Sequence, residues 1–425
     1  MKDKRMPMPL LVGTRRIAKE RIGKKRPIIY TIALVVLFWT MFDSIMSYIT
    51  PLLIQERGFS NSMIGIIIGS SSIIGALFDF LICKFLKNIN FRRIFLIMFL
   101  ICSLYPLLLW KSNTIGLYLF AMAVWGVYFD LYGFGIFNFV GRYTKSDDHS
   151  SSFGIVQVFR TLGGLLAPLI VGLVIVESVD WKAFSLGWLF LGIAFIFFIA
   201  LIFLTRKSKP SLNNFSEQPR RKNLLVELHL WKKIGRKMIP VLFLTFFLFF
   251  IEAFFWTIGP LYAETVNIKQ FGGIFIAAYV LPALIVGWYI GPLTKKIGKK
   301  RTAFLSLLIG SLILSSFAFL PSFFMVVPIV FVASCFISVS LPAINAAYAD
   351  YISESPQVEG EIEGLEDSAF NIGYVIGPIL AGVLSDVLSI PLAFSMLGVI
   401  GVISSLVLLF ATSKKIVIDI KPSEL

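Results

Sequence analysis

Two carboxyl residues lie deep inside long apolar stretches of this sequence, at matching places. Asp43 precedes Pro51 by eight residues, and Glu252 precedes Pro260 by eight residues. A charge at the centre of a bilayer costs about 2.5–3.5 kcal/mol even on insertion scales, so each carboxyl needs a partner, a wet cavity or a function. A carboxyl in such a place could take up a proton on one side of a membrane and release it on the other. Asp43 and Glu252 are therefore proton-coupling candidates. The alternative for each is a structural carboxyl that bonds to a neighbouring helix.

A second pair of opposite charges occurs in the same kind of stretch. Asp130 and Arg160 fall about 12 and 10 residues from the same end of two antiparallel predicted helices, so their depths agree within about 3 Å. We expect either a buried Asp130–Arg160 bridge or a functional arrangement. In the latter, Arg160 receives an anionic or hydroxyl-bearing substrate and Asp130 is a third proton-coupling candidate. In both cases the loss of one partner leaves the other charge buried without a counter-charge.

Other polar and aromatic residues could line a solute cavity. Trp39 and Ser47 share the helical face of Asp43, and aromatic rings could stack on a sugar or an aromatic solute. Lone polar residues in membrane helices more often bond to another helix, and this alternative stays open. The substrate-cavity candidates are Trp39, Ser47, Tyr132, Asn138, Gln157, Arg160, Trp256, Asn345, Asn371 and Tyr374.

The composition indicates that lipid surrounds most of the chain. Hydrophobic residues make up 57% of the 425 residues and charged residues only 15%, which is too little charge for the surface of a soluble domain. Apolar runs of about 20 residues or more predict helices rather than the strands of a barrel. The expected fold class is an all-α polytopic membrane protein with 12 transmembrane helices. The predicted spans are 28–54, 61–86, 92–110, 114–142, 150–176, 182–205, 238–264, 270–295, 301–320, 323–351, 364–388 and 390–413.

The second half of the chain repeats the first. The segment that begins at Gly163 and contains Pro168 recurs 210 residues later, from Gly373 through Gly377 and Pro378. Each proline removes a helical hydrogen bond and bends its helix, and the glycines allow close packing. The expected domains are a cytoplasmic basic segment 1–27, six-helix bundles 28–205 and 238–413, a cytoplasmic linker 206–237 and a cytoplasmic tail 414–425.

The net charge of +15 does not indicate a nucleic-acid partner, because the basic residues are spread over alternate loops. Ten Lys or Arg precede Pro27 and ten more lie in 206–237, whereas the loops on the opposite side hold only Arg57, Lys111, Lys182 and Lys269. This positive-inside pattern predicts a multi-pass protein of the plasma (inner) membrane with both termini in the cytoplasm.

The sequence lacks the usual residues of an enzyme site. Its three cysteines are far apart and its two histidines fall in predicted cytoplasmic loops, so neither a metal site nor a disulfide framework is expected. A nucleotide loop is missing as well. We expect no enzymatic activity, no metal and no cofactor. The expected partners are a small-molecule substrate, protons and the lipid bilayer, with the chain acting as a monomer.

The loop after the eighth predicted span resembles a family motif. From Gly291 to Arg301 it reads Gly-Pro-Leu-Thr-Lys-Lys-Ile-Gly-Lys-Lys-Arg, similar to the Gly-x-Leu-x-Asp-Arg-x-Gly-Arg-Arg motif of the major facilitator superfamily (MFS), except that Lys295 stands in place of Asp. The eleventh span, with its Gly-x-x-x-Gly-Pro, resembles the fifth-span signature of the family's antiporters. The resemblance covers about residues 30 to 413. It implies the MFS fold, with gating or packing roles for Gly291, Gly298, Pro168, Gly373, Gly377 and Pro378. The missing Asp of the family's gate could be replaced by Asp79 paired with Arg142.

The resemblance implies a secondary transporter that works by alternating access. Proton coupling fits the intramembrane carboxyls. Efflux of amphipathic compounds and uptake of a sugar or another organic solute both remain open. The alternatives are a flippase for a lipid-linked substrate and a non-transporting sensor or scaffold on the same fold.

The predicted topology can be tested by cysteine labelling of intact cells. In a background without the natural cysteines, Ser112→Cys is expected to react with a membrane-impermeant maleimide and Ser211→Cys is expected to react only after permeabilisation, because basic loops stay inside. The reverse pattern would contradict the orientation.

Overall fold

The computed structural model describes residues 10–85, 90–144, 148–175, 178–206, 224–265, 271–286, 290–320 and 322–412. These residues form helices and short connections, with no strand among them. The helices are α1 Leu10–Glu56, α2 Asn61–Phe85, α3 Phe91–Lys111, α4 Ile115–Tyr143, α5 His149–Val174, α6 Trp181–Arg206, α7 Leu224–Thr265, α8 Gly272–Val286, α9 Ile290–Ile297, α10 Lys299–Leu314, α11 Phe323–Glu354, α12 Glu359–Val387 and α13 Ile390–Ala411.

The predicted all-α membrane fold class is confirmed. In the described part of the chain, eleven helices are long and apolar enough to cross a membrane. The axes of α8 and α9 differ by 71°, and the two make a twelfth span if they are taken as one bent segment. The broad apolar surface that lipid requires is present as well, since Phe410 is 87% exposed and Phe203 is 64% exposed.

One helix begins well inside a segment that was predicted to be a linker. Helix α7 starts at Leu224, whereas its apolar span was expected from residue 238. Leu230, Ile234 and Met238 recur every four residues and are almost fully buried, so they form a packed face on this extension. A Cβ on Gly364 of α12 would meet the Trp231 ring at 2.7 Å, which shows how closely α12 approaches the extension. The second part of the linker is therefore a packed continuation of the helix.

Each half of the chain packs by the same scheme. In the first half α1 packs against α5 and α6, and in the second half α7 packs against α12 and α13. Gly163 lies against the carbonyl oxygen of Leu37, and Gly373 lies against that of Phe246; a Cβ on either glycine would be 2.7 Å from the oxygen. These repeated glycines therefore allow the close helix packing that their sequence pattern predicts.

The two halves meet along two helix pairs, α2 with α12 and α5 with α8. Gly65 of α2 lies on the carbonyl group of Pro378, and Gly273 of α8 lies on that of Pro168. A Cβ at either glycine would overlap the carbonyl oxygen. We call these two glycine–proline contacts the seam. Each contact joins the first part of one helix, α2 or α8, to the last part of another, α12 or α5. Both contacts therefore lie toward the end of the bundle that is opposite to Arg206 and Leu224.

A carboxylate fastens this end of the bundle. Asp386, near the end of α12, accepts hydrogen bonds from the backbone N–H groups of Asn61 and Ser62 at 3.1 and 2.8 Å. It also accepts one from the hydroxyl of Ser62 at 2.6 Å. Asn61 and Ser62 are the first residues of α2, whose N–H groups have no partner within the helix and whose dipole favours a negative charge. Asp386 therefore caps a helix of the other half.

A bulky residue in the seam should shift the protein toward a state that is open at this end. Gly65→Leu forces the helices apart, and overpacking costs about 1–3 kcal/mol, or roughly fivefold or more in the equilibrium. We expect a cysteine introduced at Ile379, beside Gly65, to react correspondingly faster with a maleimide. Gly133→Leu is the matched control, because a Cβ at Gly133 meets no atom within 4 Å. Equal rates in the two variants would show that the seam does not keep this end of the bundle closed.

Candidate functional site

Four polar side chains lie at the same depth in four helices. Asp43 of α1, Arg160 of α5, Glu252 of α7 and Tyr374 of α12 each precede the last residue of their helix by about 13 or 14 residues. One residue along a helix is about 1.5 Å, so these residues form one layer across the bundle. Two of the helices belong to each half. The layer therefore lies where a solute between the halves would be bound.

Asp43 is held entirely within the first half. Its Oδ1 accepts a hydrogen bond from the indole N–H of Trp125 at 3.0 Å and from the hydroxyl of Tyr128 at 2.9 Å. Both donors are on α4, and only 8% of Asp43 is exposed. Ser47, a cavity candidate, donates instead to the backbone carbonyl of Asp43 at 2.9 Å. This geometry matches the structural alternative for Asp43, that of a carboxyl bonded to a neighbouring helix.

Arg160 rests on a stack of aromatic rings. Trp39 and Tyr132 are parallel, with ring centroids 3.8 Å apart, and both side chains are buried. The guanidinium carbon of Arg160 lies 5.9 Å from the Tyr132 ring and 5.5 Å from the Phe129 ring, so its charge is stabilised by the two ring faces. Trp39 and Tyr132 were expected to face a solute. In the structure their rings pack on each other and support Arg160.

Glu252 is the charged partner that faces Arg160 from the other half. The two charges interact electrostatically, and the Tyr374 hydroxyl is the hydrogen-bonding partner of Glu252. Tyr279 of α8 also interacts with Glu252 and stacks on Phe255, with centroids 4.1 Å apart. Among the described residues no direct ion pair joins Arg160 and Glu252. The two charges therefore act on each other across the boundary between the halves.

Asp130 is not part of the group formed by Arg160, Glu252 and Tyr374. A Cβ on Gly75 of α2 would be 3.1 Å from a carboxylate oxygen of Asp130, so Asp130 faces α2. Two residues along a helix turn the side chain by about 200°, which places Asp130 opposite Tyr128 and Tyr132. The charges that act on Arg160 are those of Glu252 and Asp43 together with nearby tyrosines. The expected Asp130–Arg160 pair is not among these interactions.

The remaining cavity candidates are dispersed. The side-chain oxygen of Asn138 accepts a hydrogen bond from the N–H of Phe91 at 3.2 Å, at the first residue of α3, so Asn138 serves as a helix cap. Trp256 and Asn371 are half-buried, whereas Gln157 and Asn345 are exposed. The electrostatic contacts described above join Arg160, Glu252 and Tyr374, and these five other candidates take no part in them.

The loop that carries the family motif is fixed at one end of the second half. Gly298 separates α9 from α10 with φ +94°, a backbone conformation that favours glycine. The next residue, Lys299, pairs with Asp350 of α11 at 2.6 Å and donates to the carbonyl oxygen of Ala346 at 3.0 Å. Gly291, at the other end of the motif, is exposed. The backbone of Asp79 belongs to α2, but its side chain is not among those that the structure describes, and the predicted pair of Asp79 with Arg142 stays a prediction.

Sequence reasoning missed three residues of the site: Trp125, Tyr128 and Tyr279. None of the three is among the cavity candidates given above. A usable signal was present, since Trp125 and Tyr128 lie one turn apart and, counted from the same end of the bundle, about as deep as Asp43. Aromatic residues with a polar group usually find a hydrogen-bonding partner when they are buried. Tyr279 had no comparable signal.

Comparisons with known proteins agree with this architecture. The family profile described as Major Facilitator Superfamily matches residues 31–360 and, in a second match, 241–423. No curated protein matches the chain. A bacterial homologue of the human lysosomal transporter Spinster, inward-facing and occupied, has a TM-score of 0.72 and 14% identity over 91% of this chain and 96% of that chain. The nucleoside transporter NupG has a TM-score of 0.63 and 15% identity over 90% and 97%. At these identities the likeness establishes a shared fold.

The buried bonds of Asp43 predict a stability effect. Asp43→Ala leaves the N–H of Trp125 and the hydroxyl of Tyr128 without their acceptor, which costs about 1–3 kcal/mol. We expect a clearly lower midpoint in thermal unfolding of the detergent-solubilised protein. Ser47→Ala is the control, because its hydroxyl bonds only within its own helix, and it should unfold near the parent temperature. Equal midpoints for Asp43→Ala and the parent would contradict the structural role.

Proposed function

This chain belongs to the Major Facilitator Superfamily, and on that basis we propose that it is a proton-coupled secondary transporter of a small organic solute. In this proposal the solute binds between the two halves, in the layer that contains Arg160 and Glu252. The halves then rock against each other, so that the layer opens alternately to either side of the membrane. Proton coupling is assigned to Glu252.

The observation that carries the proposal is the position of Glu252 between partners from both halves. Tyr374 belongs to its own half, whereas Arg160 belongs to the other. When the halves move as rigid bodies, Tyr374 stays with Glu252 and the distance to Arg160 changes. The charge environment of the carboxyl therefore differs between the two states, and so does its proton occupancy. This difference is what links proton movement to solute movement.

Asp43 fits this role less well. Its two donors, Trp125 and Tyr128, are both in the first half, so a rigid-body motion leaves its hydrogen bonds unchanged. We propose that Asp43 fixes α4 against α1 and thereby holds the aromatic stack beneath Arg160. The proton-coupling role considered for Asp43 from the sequence therefore passes to Glu252.

The proposal also assigns a state to the structure. The seam and Asp386 join the halves at the end away from Arg206 and Leu224. The positive-inside pattern places the 206–237 linker in the cytoplasm. The binding layer would then be reached from the cytoplasmic side, as in an inward-facing transporter.

Flux measurements in proteoliposomes test the coupling. Solutes from four classes (organic acids, sugars, nucleosides and amphipathic cations) are offered with and without a pH gradient, and a trapped dye reports proton movement. We expect one class to move together with protons. Glu252→Gln mimics a carboxyl that is always protonated, so it should abolish gradient-driven accumulation and keep solute exchange.

Two further variants control the assignment. Glu363→Gln changes an exposed acid on α12 outside the layer and should behave as the parent. Asp43→Asn should lower stability but keep the coupling. If Glu252→Gln still accumulates solute with the pH dependence of the parent, Glu252 does not carry the proton. Loss of coupling in Asp43→Asn alone would return the role to Asp43.

A further inference from the structure

Among the described residues, the guanidinium of Arg160 has ring faces beside it but no hydrogen-bond acceptor. A guanidinium carries five N–H donors and stays charged in proteins. The contacts of Arg160 are with the Phe129 and Tyr132 rings, at 5.5 and 5.9 Å. In the part of the chain that the structure describes, no hydrogen bond or ion pair is made by its guanidinium. A charge kept at this depth in a membrane protein needs acceptors, and a bound solute would supply them.

The acidic side chains around Arg160 are engaged elsewhere. Asp43 already accepts bonds from Trp125 and Tyr128. Glu252 has Tyr374 as its hydrogen-bonding partner. Each of these carboxylates acts on Arg160 through space, but neither occupies its donors. The fork of the guanidinium is therefore left for a planar acid group, which it binds through two parallel hydrogen bonds.

Aromatic rings lie near Arg160 and Glu252 on the side of the second half. Tyr279 and Phe255 stack with centroids 4.1 Å apart and with planes 11° apart. Phe370 lies against Tyr374 at 4.9 Å, and Phe370, Tyr374 and Tyr279 are all half-buried. One cation next to several rings suits a solute that has both an acid group and an apolar or aromatic body. An inorganic anion would use the charge of Arg160 but not these rings.

We infer that the transported solute is an organic anion whose acid group binds Arg160 and whose apolar body lies among the rings of the second half. One further part of the inference, the link between the anion and the proton, rests on the proposed function. An anion on Arg160 comes close to the carboxylate of Glu252, and like charges repel. Protonation of Glu252 removes this repulsion. Anion and proton are therefore bound together and move in the same direction.

Equilibrium binding tests the substrate class without a flux assay. The full-length protein in detergent is titrated with 2-naphthoate and phenylacetate, with the neutral amides of both acids, and with 2-naphthylmethylamine, while its thermal unfolding midpoint is followed. We expect the two acids to raise the midpoint and the amides and the amine to leave it unchanged. Stabilisation by the amine or the amides in preference to the acids would overturn the inference, and so would the absence of any effect of the acids at millimolar concentration.

Variants of Arg160 locate the site. Arg160→Gln removes the charge, and acid binding should fall at least tenfold. Arg160→Lys keeps the charge and loses the fork, so it should fold even if the first variant does not, and it should bind the acids more weakly than the parent. Arg206→Gln is the control, since Arg206 is the exposed last residue of α6. Acid binding that is unchanged in both Arg160 variants would remove Arg160 from the site.

The pH dependence separates this inference from the proposed function. If one proton is bound with each anion, acid affinity in the parent should fall by about tenfold per pH unit once Glu252 is ionised. Glu252→Gln should bind the acids without this dependence. If the acids require Arg160 but the pH dependence persists in Glu252→Gln, the substrate class stands and the proton role of Glu252 fails. If the acids do not bind while the flux assay still shows coupling at Glu252, the substrate class fails alone.

Discussion

The rest of the structure depends on the close approach of two helix pairs that join the two halves. Gly65 and Gly273 carry no side chain, so their helices come into contact with the carbonyl groups of Pro378 and Pro168. In lipid there is no hydrophobic force between apolar helices, and association depends on such close packing and on polar contacts. Because both contacts lie at one end, the halves are joined there. The layer of polar side chains is thereby formed from both halves.

The charged residues of this layer differ in whether their partners lie in their own half or in the other half. Asp43 has both donors in its own half, and its bonds persist in any rigid-body motion. Arg160 and Glu252 belong to different halves and interact across the space between them. In the proposed mechanism, Asp43 supports the scaffold, and the pair of Arg160 and Glu252 senses the separation of the halves. The same residue types, at the same depth, thus acquire different roles from the positions of their partners.

Much of the fold could be predicted from the sequence. The apolar runs gave the helix α3 to within one residue at each end, because about 20 apolar residues are needed to cross the hydrocarbon and turn residues mark the ends. The apolar span of helix α7 was expected only from residue 238, because its extension to Leu224 mixes apolar with basic residues and is held by a narrow apolar face against α12. The sequence also indicated that Asp43, Arg160 and Glu252 lie deep within membrane-spanning helices, because the position of a residue within a span fixes its distance along the helix axis.

The sequence by itself determined the membrane class, the internal repeat, the glycine–proline segments and the depth of each intramembrane charge. These properties depend on composition and on spacing along one helix. Only the tertiary structure decided that Asp130 faces Gly75 of α2, that Asp43 is bonded by Trp125 and Tyr128, and that Arg160 faces Glu252. Depth places a residue along a helix axis, but the rotation and the neighbours of that helix follow from packing against other helices. The partner of a buried charge is therefore a property of the assembled bundle.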